Sequence, residues 1–374
     1  MLYIIVLAAV VTGLVKKNSN IVFGVLLLLI WLMLGWSSGN ADYEIHLGRF
    51  NNYEMTSLYT EMLYTELMSI ANRAGFTYQK FLPAIMFLYS VIIGFIVKKV
   101  SKAPAFVLAI YLIFPACMEA VQIRYTLASG LVLLGFYILL KENDKFAEVK
   151  FAVLVLLASL IHISTIVFLL FIVIRKLNFR KTVLYTAIVS LVIGVSRMSF
   201  VIELIGKLPG MAEKTSRVLA SAANRYTNVT VMKTAYRCLV FFASIMLLLY
   251  LLKMWNQRYK QELDISFIKK IAKVNIISLV ILPLLFYSVD FYRIQQTLSL
   301  LNYCALSYYV VILPCVNRSV RSGSFVTTKK RVGYLMGIIM MAIVNLYYLV
   351  LNSTNILTVF RPFFENNLFF RGGV

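Results

Sequence analysis

Gln122-Ile-Arg124-Tyr-Thr-Leu-Ala-Ser-Gly-Leu-Val-Leu-Leu-Gly-Phe-Tyr-Ile-Leu-Leu140 decides how this chain is read. It is an apolar run of helix-spanning length with a single arginine near its N-terminal mouth. A permanently charged guanidinium in or beside hydrocarbon costs several kcal/mol, roughly 3 on insertion scales. Such a group either meets an anion, on a substrate or a nearby carboxylate, or snorkels to headgroup level. What else the chain brings to the same side of the membrane decides between the two.

Working outward, 61% of the 374 residues are hydrophobic, only 14% are charged, and mean hydropathy is +0.84. That profile excludes a soluble domain and implies an all-α, polytopic integral membrane protein. The net charge of +22 does not point to nucleic acid, because the basic residues cluster in short loops between apolar runs. Such clustering is the positive-inside pattern, with some of the excess suited to anionic lipid or substrate headgroups. Four cysteines (Cys117, Cys238, Cys304, Cys315) lie in or beside apolar runs without a CxxC, so neither a disulfide framework nor a zinc site is expected. Residues 1–15 lack a basic leader and read as a first span.

Leu2–Val15 and Ile21–Trp36 flank Lys16-Lys17, placed in the cytoplasm. Ser37–Lys80 is an outer segment with a short interfacial helix within Tyr59–Ala74. Phe81–Val97 returns inward, Ala105–Cys117 goes out, and the Arg124 helix comes back. Phe151–Ile174 contains 24 residues with His162 in the middle. One span would put Arg175, Lys176, Arg180 and Lys181 outside, whereas two short helices meeting near His162 keep them inside and lift His162 to the level of Arg124. Each limb is shorter than the ~20 residues of a full crossing, which suggests a re-entrant hairpin shielding an outward-facing cavity. Val183–Val201, Tyr236–Leu252, Val274–Tyr287, Ile294–Pro314 and Val332–Leu351 follow as spans, with residues 202–233 and 352–374 outside. The expectation is one transmembrane domain over 1–374, with about 11–12 transmembrane or re-entrant helices.

The outer side then carries Asp42, His46, Glu66, Arg124, His162, Arg217, Arg237, Asp290, Arg293 and Glu365. His162 sits at the helix break and is a candidate for proton transfer, the work of an imidazole near neutral pH. Arg124 and Arg293 stand at helix mouths and suit a bidentate grip on phosphate, with Arg237 as a third such group. Asp42 and Glu66 are candidate bases or sugar-hydroxyl binders, and His46 lies in the same polar loop. Asp290 and Arg293 are three apart and can pair on one helix face. Arg217 belongs to the basic outer stretch 207–233. No P-loop, GxGxxG, HExxH or GxSxG in its required context occurs.

Several short motifs resemble one known family. Asn40-Ala-Asp42-Tyr43 with Phe50, Tyr64-Thr-Glu66-Leu, Gly75-Phe-Thr-Tyr-Gln-Lys-Phe81, Gln122-Ile-Arg124-Tyr-Thr-Leu-Ala128 and Leu157-Ala-Ser-Leu-Ile-His162-Ile-Ser164 resemble the EpsG family of Wzy-like polysaccharide polymerases. Asp290-Phe-Tyr-Arg293 and Phe360-Arg-Pro362 fit the layout of that family. The chain departs from the family pattern at Tyr125, where a glutamine often follows the arginine, and at Leu67-Met68, where Pro-Gly often follows the glutamate.

The resemblance implies a metal-independent glycosyltransferase in the bacterial cytoplasmic membrane, without a cofactor and with its active site facing outward. It would join oligosaccharide repeat units carried on undecaprenyl diphosphate into capsule, exopolysaccharide or O-antigen, using the lipid-linked donor and acceptor, the bilayer and a chain-length regulator protein as partners. His162, Arg124 and Asp42 would be catalytic; Arg293, Arg237, Glu66, His46, Asp290 and Arg217 would bind substrate. A lipid-linked oligosaccharide flippase and a membrane O-acyltransferase are the other classes that share these features. The first would more often show repeat symmetry between halves, and the second would place its histidine at the inner face.

Overall fold

The computed structural model describes residues 2–53, 61–140, 145–195, 207, 216, 228–258, 265–285, 289–312, 324–351 and 355–372. Among them 86% are helical and there is no strand, so the chain is an all-α polytopic membrane protein. Among the described residues three helices are long and apolar enough to cross a membrane: Tyr78–Val100, Ile123–Leu140 and Thr234–Lys253. Backbone groups that face hydrocarbon must be satisfied within their own segment, which leaves helices as the form such sequences take.

The first half runs α1 (Leu2–Val15), α2 (Asn20–Gly35), α3 (Tyr43–Asn51), α4 (Met62–Arg73), α5 (Tyr78–Val100), α6 (Pro104–Ile113), α7 (Ala116–Glu119), α8 (Ile123–Leu140) and α9 (Ala147–Ile161). Helix α2 starts on Ser19, whose hydroxyl accepts from the Val22 amide at 3.3 Å. Helices α1, α2 and α5 pack against α6, as do the later helices Arg293–Ile312 and Ser324–Leu346, and its residues Ala105 to Leu112 are all buried. Close approach of α1 to α6 needs Gly13, where an added Cβ would stand 2.7 Å from the Ala109 Cβ. The short helix expected within Tyr59–Ala74 is α4, and α3 precedes it.

The structure revises two expected spans. Ala105–Cys117 is not one crossing: α6 ends at Ile113 because Phe114 precedes a proline and adopts extended φ/ψ of −157°/131°. Its ten residues rise only about 15 Å, so α6 is a buried core helix. Val274–Tyr287 is likewise broken, into helix Ile265–Ser278 and the short turn Ile281–Leu284. Of the tail expected over 352–374, residues 355–372 are described and are folded. Two short helices, Arg361–Glu365 and Leu368–Arg371, fold back on α2, with the Leu368 amide donating to Trp36 O at 2.9 Å and the Ala41 amide to Thr358 O at 2.9 Å.

Phe151–Ile174 does break at His162, which has extended φ/ψ of −148°/111°. Beyond it Ile163–Arg175 is a 3₁₀ helix packed back along α9, and its last residue meets the start of α9 in an Arg175–Glu148 ion pair of 3.5 Å. The two limbs therefore form a hairpin with His162 at the tip. The wider 3₁₀ rise carries its 13 residues over about 26 Å, against about 22 Å for the 15 of α9. Both limbs press on α8 through an aromatic cluster in which Phe136 meets Phe151, Phe168 and Phe171.

Helix α10 (Phe179–Val195) and the helices Asn228–Arg258, Arg293–Ile312 and Ser324–Leu346 complete the bundle. Asn275 and Asn302 exchange amide hydrogen bonds of 2.7 and 3.0 Å between two of its helices. Charge sorts the bundle into two ends. At one end Lys17 donates to Val310 O, Lys270 to Leu140 O and Lys273 to Ile174 O. At the other lie α3, α4, the N-terminus of α8, the hairpin tip and the folded C-terminal helices.

Candidate active site

At the lysine-poor end, Asp42, His46, Gln122, Arg124, Tyr125, His162 and Arg293 line one cavity of about 40 Å³. That volume holds a few water molecules or an anionic group, not a sugar chain. Each wall has a local cause. The turn after α2 is held where Gly39 (φ 61°) abuts Asn366, and the buried Asn40 amide donates to Ala120 O at 3.2 Å. This places Asp42 at the start of α3 and His46 one turn later. The break at Pro115 and the short α7 deliver Gln122, Arg124 and Tyr125 at the mouth of α8. The hairpin tip brings in His162, and Arg293 opens the helix Arg293–Ile312.

Tyr125 knits the cavity together. Its hydroxyl donates to Arg293 O at 2.7 Å and lies 2.7 Å from Thr297 Oγ1. The Arg293 guanidinium sits 5.7 Å over its ring, and His162 meets the ring edge-on with centroids 5.5 Å apart. His162 Nδ1 is 2.8 Å from Ser164 Oγ, a contact that fixes the imidazole orientation.

Arg124 pairs with Glu61, which also lies 3.7 Å from Arg49, and Arg293 pairs with Asp290 at 3.0 Å. Glu61 holds its place with a left-handed backbone (φ 65°) just before α4. His46 is buried, and its ring meets the Val121 backbone without a hydrogen bond of good geometry. Burial, then the positive charges of Arg124 and Arg49, push its pKa down to about 3, with the Val121 backbone pulling weakly the other way. His46 is therefore a neutral imidazole at pH 7. Gln122 Oε1, Arg124 Nε and Arg293 Nε are also buried without partners. Orphaned donors and acceptors converging on one void are costly unless a ligand satisfies them.

Of the residues singled out from sequence, Asp42, His46, Arg124, His162 and Arg293 come together here. Asp290 stands behind Arg293 and is largely exposed. Glu66 does not join them: it lies on the exposed face of α4, five residues beyond the carboxylate that reaches Arg124. Arg237 falls in the helix Asn228–Arg258, but its side chain, like the whole of Arg217, is outside the described residues. Most of the basic 207–233 stretch is outside them as well. Among the described residues no group of three or more His, Cys, Asp or Glu could hold a metal ion.

Sequence reasoning passed over Glu61, Gln122, Tyr125 and Glu119. Glu119 is buried, accepts from Tyr89 at 2.7 Å and from Tyr111, and its carbonyl accepts from Thr126 Oγ1 at 2.9 Å. It braces the turn that presents Arg124. A carboxylate inside an otherwise apolar stretch just before Gln122 was the available signal.

No characterised protein and no solved structure matches the chain. The EpsG family model matches residues 20–359, nearly the whole chain, and with this fold the protein belongs to the EpsG family, a Wzy-like polymerase-type family of polysaccharide biosynthesis.

Proposed function

We propose that this cavity is the catalytic centre of a polysaccharide polymerase that joins undecaprenyl-diphosphate-linked oligosaccharide units at the outer face of the bacterial cytoplasmic membrane. The observation that carries the proposal is the meeting of Arg124 and Arg293 with two histidines and Asp42 around one void of anion size.

The reaction follows from these groups. A hydroxyl of the acceptor sugar attacks the anomeric carbon of the donor chain, the bond from that carbon to the phosphate oxygen breaks, and the lipid diphosphate leaves with the electron pair. Stabilising the charge that grows on that leaving group is the main electrostatic task. Arg124 and Arg293 supply forked donors for it, and their unpartnered Nε atoms leave hydrogen-bonding capacity for phosphate oxygens. His162, oriented by Ser164, or Asp42 takes the hydroxyl proton. Neutral His46 is suited to hydrogen-bonding substrate rather than to accepting a proton at pH 7, because its imidazolium is so disfavoured. Activation resides in the lipid diphosphate, so the chemistry needs neither nucleotide nor metal. The cavity is a subsite for the reacting phosphate, with the sugars extending beyond it.

His162 lies at the end opposite the lysine-rich one, which favours the polymerase over an acyltransferase fed from the cytoplasm. The direct test incubates purified protein with lipid-linked repeat units and resolves the products by size. A ladder that disappears with Arg124→Ala supports the proposal. Units moved across a vesicle membrane without a ladder would make the protein a flippase.

A further inference from the structure

At the lysine-rich end, away from His162, the start of α10 and the helices Asn228–Arg258 and Ile265–Ser278 enclose a half-open cavity of about 540 Å³. Leu249, Leu252 and Ile268 form its walls, and Lys253, Lys269 and Lys273 bring three ammonium groups to it. Lys273 is anchored, donating to Ile174 O at 2.5 Å and Leu177 O at 2.9 Å. Lys253 and Lys269 are exposed, and among the described residues no carboxylate lines the cavity.

The walls continue into surface that only a bilayer would solvate. Phe179 lines the cavity, and Val183, one turn further along the same face of α10, is exposed, as are Leu184 and Ile188. Phe242, two turns before Leu249 on its helix, is exposed as well. A phosphate alone would use the lysines and leave the aliphatic walls empty. An amphiphile with an anionic head and two apolar tails uses both, and basic pockets between spanning helices are where such heads bind.

We infer that this groove holds one anionic diacyl phospholipid, with its phosphate on Lys253, Lys269 and Lys273 and its acyl chains along Leu249, Leu252 and Ile268. This site is distinct from the Arg124 cavity and independent of the reaction proposed there.

The test titrates the full chain, purified in mild detergent, with phosphatidylglycerol, phosphatidylcholine or inorganic phosphate and counts bound lipid by native mass spectrometry. One phosphatidylglycerol should be retained, with phosphatidylcholine weaker by about tenfold or more and inorganic phosphate unable to displace the lipid. The double variant K253Q/K269Q, which leaves anchored Lys273 in place, should bind phosphatidylglycerol roughly 30-fold more weakly. Ala272→Phe, which fills the cavity and keeps every charge, should lose the lipid too. Equal retention of the two lipids, wild-type binding by either variant, or displacement by inorganic phosphate overturns the inference. The comparison on unaltered protein decides even if a variant fails to fold.

Discussion

Arg124 is ion-paired with Glu61, a residue 63 positions earlier, and the same carboxylate lies within 3.7 Å of Arg49. The guanidinium at the mouth of α8 is therefore held by a neighbouring carboxylate rather than left to snorkel. The two guanidiniums share this carboxylate, Asp42 also acts on Arg49, and the unpartnered Arg124 Nε keeps a donor for an anionic ligand.

Glu61 is accordingly expected to matter and Glu66 not. Glu61→Gln removes the charge but keeps the size, and Arg124 loses its orientation, so polymerisation should fall by about tenfold, or ~1.4 kcal/mol. Glu66→Gln, on the exposed face of α4, should stay within about twofold of wild type. Ladder formation per unit of folded protein checks both; a Glu66 variant as damaged as the Glu61 variant would contradict the site drawn here.

Replacing Arg124 by lysine keeps the charge and removes the fork. Polymerisation is expected to drop by ~100-fold, of the order lost with one donor to a developing oxyanion. The protein should remain in the membrane at normal amount. Wild-type chain lengths from Arg124→Lys would rule out a bidentate grip on phosphate.

Tyr125→Phe keeps the ring against His162 and Arg293 but strips the hydroxyl from Arg293 O and Thr297. Stability should fall by about 1–3 kcal/mol, the cost of leaving buried partners unmet. Ser164→Ala, which removes the Ser164 contact from His162 Nδ1, should move the pH profile of polymerisation with little change in melting temperature. An unchanged profile would remove His162 from the proton transfer and leave Asp42 as the base.

Buried His46 links stability to pH in a defined direction. Its folded pKa of about 3 lies below the ordinary imidazole value of 6.5, so the unfolded chain binds the extra proton between those limits. The contribution is fully present above pH 6.5 and is lost as pH falls from there towards 3. At pH 5 the loss amounts to about 2 kcal/mol. Melting curves in detergent at pH 7 and pH 5 should show a larger drop for wild type than for His46→Gln. Equal drops would mean that His46 is solvated rather than buried.

Much of the fold was legible because hydrophobic length is a local property. The apolar runs around α2, α5, α8 and the helix Asn228–Arg258 each carry enough apolar residues to declare a helix without reference to any partner. Charge at the ends of runs was as informative: the basic cluster Arg175–Lys181 could be kept with the other lysines only by folding Phe151–Ile174 at His162, and the structure turns there. Where the reading of spans went astray, a backbone detail intervened, as at Phe114 before Pro115, which ends α6 after ten residues.

By itself, the sequence determined that the chain is helical, that it lives in a bilayer, and that Arg124, His162 and Arg293 stand at helix ends. These follow from hydropathy and from the cost of burying charge, both of which act residue by residue. Only the tertiary structure decided which carboxylate answers Arg124, choosing Glu61 over Glu66. Glu61 precedes α4 with a left-handed backbone whereas Glu66 lies on the exposed face of that helix, so the two project differently, and pairing depends on where the start of α4 sits relative to the mouth of α8. The neutral state of His46 is likewise tertiary, because burial and the fields of Arg124 and Arg49 come from residues far from it in sequence.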